Sequence, residues 1–112
     1  NNMSVKNKFM EIESKQQIFE RRKEIEQELV NMLKETKNDF NLEYIKDIIY
    51  NEDDGDDLMK VLAVFDQGQD TDELNNILEL VNDAWNYFPH KIINGLSPAE
   101  KLLEYQKSEK LS

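Results

Sequence analysis

Apolar residues return at helical spacing along most of this chain. Ile18, Ile25 and Met32 recur every seven residues, Leu29 and Leu33 fill the same side, and Phe9, Ile12 and Phe19 mark an earlier stripe. No proline or glycine interrupts positions 5–36, where Glu, Gln, Lys and Arg dominate, and these are good helix formers. One helix of some 30 residues would be about 45 Å long. That exceeds a compact domain of this size, so the front half is expected to project, to break near Ser14, or to pair with another chain. The stripe is shorter than the heptad run of a coiled coil, which leaves a homodimer through this helix as an option and not the leading expectation. Glu11 with Lys15, and Arg22 with Glu26, stand four apart and can support each other on the surface.

Four further segments follow. Thr36 to Asp39 reads as a polar connection, after which Asn41 caps a helix to about Tyr50 with Tyr44, Ile45, Ile48 and Ile49 as its apolar face. The run Asn51 to Asp57 breaks the pattern around Gly55. Leu58 to Phe65 is apolar nearly all round. No other run could pair with it as a strand, and a lone strand leaves its backbone groups unpaired. It is therefore expected to be a buried helix capped by Asp56 or Asp57. After a turn at Asp66 to Gln69, Asp70-Thr71-Asp72-Glu73 forms a capping box, and its acids favour the positive end of the helix dipole. Leu74, Ile77, Leu78, Val81, Trp85 and Phe88 then keep helical spacing until Pro89, which pushes Phe88 out of helical geometry. Finally, Ser97 is an N-cap, Pro98 the first helical residue and Glu100 the closing member of a second capping box. Leu102, Leu103 and Tyr105 are expected to face inward, and 107–112 to fray.

The pattern predicts an all-α fold, a small bundle of about five helices with a long N-terminal helix, in one domain over 1–112. The helix from Asp70 to Phe88 is expected at its centre, with 58–65 and the C-terminal helix packed on it and the first helix partly detached. A chain of 112 residues can bury roughly 65% of its unfolded surface, enough to fold without staples. Asn1-Asn2-Met3-Ser4 has no signal-peptide character, Met3 reads as an initiator, and no apolar run reaches the ~20 residues that span a bilayer. No membrane association and a cytoplasmic location are expected.

Charge changes the picture more than composition does. Residues 1–37 hold eight basic and seven acidic residues, 38–88 hold two and fourteen, and 89–112 hold four and three, so the middle carries the whole net charge of −10. A field of that sign repels phosphate backbones. Direct nucleic-acid binding is not expected; a basic protein partner, or mimicry of nucleic acid, is. The expected partner-binding residues are Asp53, Asp54, Asp56 and Asp57 in the acidic loop and Tyr87, which lies off the apolar stripe beside Trp85 and Phe88, since surface aromatics often anchor partners.

No catalytic, metal or cofactor residue is assigned. With no cysteine, disulfides, thiol catalysis and Cys-based zinc sites are excluded. Placing Gly55 sixth in a calcium loop puts Tyr50 first, where an acidic or amide ligand is required, so the register fails. His90, the only histidine, has no partner group assignable from sequence, and its place after a helix end suggests an interaction with terminal carbonyls. Gly55, Gly68 and Gly95 are isolated and form no phosphate loop.

The segment Trp85-Asn86-Tyr87-Phe88-Pro89-His90, followed by Gly95-Leu96-Ser97-Pro98-Ala99-Glu100, resembles the end of the catalytic domain in insertion-sequence transposases and retroviral-type integrases. There a helix ending in Tyr-Asn leads through Arg-Pro-His to a Leu-Ser/Thr-Pro-Ala-Glu helix start; here Trp85 stands for that tyrosine and Phe88 for the arginine. It is also similar to the tails of small prokaryotic proteins, some linked to zinc-binding SEC-C tails, whose cysteines this chain lacks. The resemblance covers about 16 of 112 residues. It implies a shared helical corner. The ribonuclease-H-like sheet and its three metal-binding carboxylates have no counterpart in a helical upstream pattern. A non-enzymatic interaction module is the leading expectation, with a mobile-element-associated or nucleic-acid-mimicking regulatory protein as the alternative.

Overall fold

Ser14 starts the first helix among the described residues: its Oγ accepts the Gln17 N–H at 3.2 Å, satisfying one of the donors that a helix N-terminus leaves free. The computed structural model describes residues 14–52 and 56–111, with side chains through Ser108. Helix α1 (Lys15–Glu35) thus begins at Ser14, the position named for a break in one of the three alternatives. Phe9, Ile12, the Glu11–Lys15 pair, and Asp53 and Asp54 lie outside the described residues.

Helices α2 (Leu42–Asn51), α3 (Asp57–Phe65), α4 (Thr71–Tyr87) and α5 (Pro98–Leu111) follow, with a 3-10 turn at Lys91–Ile93. The architecture is an all-α bundle; among the described residues the only extended pairing is a single antiparallel bridge, His90 to Leu96. Asn41 caps α2 and Asp70 caps α4, accepting from Tyr44 N at 3.0 Å and Glu73 N at 2.9 Å. At α3 the cap residue Asp56 makes no side-chain cap bond. Asp57, the first helical residue, is instead buried and pairs with Lys60 at 2.9 Å.

The main core gathers Ile25, Leu29 and Leu33 of α1, Ile45 and Ile49 of α2, Val61 and Phe65 of α3, and Ile77, Leu80, Val81, Ala84 and Phe88 around α4. A smaller cluster joins Ile18 to Ala99 and Leu103 of α5, and Tyr87 packs against both. Four expectations change here. The described length of α1 is docked, not detached: Ile18, Ile25 and Leu29 are fully buried, each contributing about 1.5–3 kcal/mol over an exposed side chain. Segment 58–65 is helical but one-sided, since Met59 is 58% exposed. Leu102 and Tyr105 face outward, because a helix on the bundle's rim buries only one stripe, here Ala99 and Leu103. The helix also continues to Leu111, past the expected fray at Lys107.

Helix ends are closed by the chain itself. After α1, Lys37 takes φ 51°, and Asn38 N reaches Leu33 O at 2.9 Å while Lys37 N reaches Lys34 O at 3.1 Å. That is a Schellman motif with lysine where glycine is usual. Asn38 Nδ2 donates to Val64 O at 2.7 Å, and Gln69 Nε2 to Phe65 O at 2.9 Å, covering terminal carbonyls of α3. Phe88, at φ −93° and ψ 152°, ends α4 before Pro89 as expected. The turn into α5 uses Asn94 and Gly95 at φ 60° and 81°.

Candidate functional site

Three polar constellations stand out, and their burial separates structural from accessible chemistry. The first ties α1, α4 and α5 together. Ser97 and Glu100 complete the expected capping box: Glu100 N donates to Ser97 Oγ at 3.1 Å, and Ser97 N to Glu100 Oε1 at 2.9 Å. The same Oε1 accepts from Arg22 Nη2 at 2.8 Å, and Arg22 Nε donates to Tyr87 O at 2.7 Å, on the last residue of α4. Burial pushes the Glu100 carboxyl up, but its bonds from Ser97 and Arg22 outweigh that and hold it below the ordinary glutamate value. Arg22 therefore does not pair with Glu26, which takes Lys46 at 2.9 Å.

The second constellation surrounds His90. The ring is 1% exposed. Nε2 lies 2.7 Å from Trp85 O, in the last turn of α4, and Nδ1 lies 3.0 Å from Glu52 Oε1, just after α2. Trp85 meets the ring edge-on at 4.9 Å between centroids. The expected contact with terminal carbonyls is present, and Glu52 is a partner the sequence did not disclose. A ring so enclosed cannot meet a substrate from solvent. It straps α2 to the corner after α4. Among the described residues every buried side-chain N or O has a hydrogen-bond partner, and no three His, Asp or Glu side chains converge as a metal-binding set.

The third lies between α1 and α4, which run antiparallel, as Arg21 Nη2 to Asp83 Oδ2 at 2.7 Å fixes at one end. Two adjoining hollows of about 390 Å³ and 400 Å³ share Met32, Glu35 and Asn76 and form one groove. Met32, Ile77 and Leu80 supply its apolar floor; Glu28, Glu35, Glu73, Glu79 and Asp83 supply its carboxylates, and Asn31, Asn76, Gln67 and Gln69 its amides. Arg21 is the single cation lining it, and it is already engaged by Asp83, Glu24 and Glu28. Burial lowers the Arg21 guanidinium's pKa, but the Asp83, Glu24 and Glu28 carboxylates outweigh that and raise it above the ordinary arginine value. Glu35, Glu73 and Glu79 have no cationic partner among the described residues.

Of the expected partner-binding residues, Asp56, Asp57 and Tyr87 are among those described. Asp56 is exposed, Asp57 is 3% exposed and paired with Lys60, and Tyr87 is half-buried, packed into both clusters with its carbonyl holding Arg22. The reason for Asp57 is its place one residue inside α3, where the helix turns the first carboxylate toward the bundle. The groove was missed because its α1 wall comes from a segment whose net charge is near zero. The one signal was local: Glu28 and Glu35 stand seven apart beside Met32.

Searches against family models, curated proteins and solved structures returned no match.

Proposed function

We propose that the chain is a non-enzymatic interaction module that takes a basic protein segment in the groove between α1 and α4. One observation carries this reading: a continuous concavity with an apolar floor and a carboxylate rim, its single cation already neutralised from three sides. Binding surfaces join apolar contact to a few placed polar groups, and a rim of one sign speeds encounter with the opposite sign. Accessible carboxylates gather along an apolar floor in this groove, while His90 and Glu100 are enclosed by their own partners. The groove joins Glu73, Glu79 and Asp83 of the acidic middle to Glu28 and Glu35 of α1.

The test is titration of a labelled lysine-rich peptide against the protein and against a Glu35→Gln/Glu79→Gln variant. Binding at low salt that weakens in the variant and fades by about 0.5 M NaCl is expected, because exposed charges are screened within ~4 Å at such ionic strength. Equal binding by both proteins, or none at low salt, overturns the reading. Duplex DNA serves as the arm for the mobile-element alternative raised by the tail resemblance, and no gel shift is expected from it.

A further inference from the structure

We infer that the occupant of this groove is an amphipathic α-helix with a basic stripe, lying along α1 and α4; the inference rests on the binding reading above. The walls offer helix side chains and no free backbone edge, so an extended peptide finds no strand to pair with. Their carboxylates instead follow helical register. On α1, Glu28 and Glu35 stand seven apart with Met32 between them, about 10.5 Å along the axis. A helix with Lys or Arg every seven residues repeats its cations at that same interval, and its ridge fits between two helices as a third member. Met32, unbranched and deformable, suits an apolar side chain from that ridge.

Arg21 and Asp83 occupy one end of the groove, and Glu73 with Gln67 and Gln69 the other. Carboxylates outnumber cations at both ends, since Arg21 is matched by Asp83, Glu24 and Glu28. From Arg21 to Glu35 the groove runs about 21 Å along α1, room for roughly four turns of a helix.

The experiment compares two helix-forming peptides of identical composition by fluorescence anisotropy. One carries Lys every seventh residue beside a Leu stripe; the other disperses the same residues around the helix. The striped peptide is expected to bind about tenfold more tightly. Equal affinity overturns the helical occupant and leaves the charge-based reading standing, whereas binding by neither peptide overturns both.

Discussion

Lys37 holds the left-handed turn that ends α1, at φ 51°, a conformation that costs a side-chain-bearing residue roughly 1–2 kcal/mol. Glycine removes that cost and gives back part of it as chain entropy. Lys37→Gly should therefore raise stability by about 0.5–1 kcal/mol in urea denaturation; a loss of stability would mean the lysine makes a compensating contact. Glu100 is the residue where one atom does most. Its Oε1 serves Ser97 N and Arg22 together, so Glu100→Ala should cost about 3 kcal/mol, the range for stripping one partner from an enclosed ion pair. Its folded-state pKa is lowered, so its contribution is complete above the unfolded value of about 4.3 and is lost as pH falls through the lower folded value. Stability differences between the protein and Glu100→Gln should be flat above about pH 5 and shrink on acidification. A difference that grows toward acid would contradict the ion pair.

Among the elements, α1 and α3 depart furthest from expectation, and each can be tested. If α1 is docked through Ile25 on the shared core, Ile25→Ala should cost about 2–5 kcal/mol, read by thermal or chemical unfolding. A detached helix would lose almost nothing. Helix α3 is short and ends beneath Asn38, whose amide donates to Val64 O. Removing that donor by Asn38→Ala strands a carbonyl in a partly buried place and should cost about 1–2 kcal/mol. Both effects come from long-range contacts. Heptad spacing marked which side of α1 is apolar, but nothing in it named α4 as the surface that covers that side. The self-pairing seam considered for α1 is, over its described length, the face spent on this core.

At the scale of the whole molecule, a net charge of −10 with carboxylates facing each other across a groove makes the folded state self-repelling. Salt should relieve this. The melting temperature should rise by a few degrees between about 20 mM and 500 mM NaCl, as the screening length shrinks from over 20 Å to about 4 Å; a fall would show that ion pairs such as Arg21–Asp83 dominate. No helix among the described residues is long and apolar enough to cross a membrane.

Local chemistry was legible in the sequence because its causes are local. Ser14, Asn41, Asp70 and Ser97 start their helices through bonds to residues three ahead, and Pro89 stops α4 through a clash with its own neighbour. These interactions span a turn, so residue order alone specifies them. What only tertiary structure decided is pairing at a distance: Arg22 with Glu100, Glu52 with His90, and the α1 and α4 carboxylates on two walls of one groove. Each needs elements distant in sequence to meet at a set rotation, and many arrangements satisfy the same apolar stripes. Side-chain packing of Ile25, Leu29, Val81 and Phe88 selects among them, and no periodicity encodes that choice.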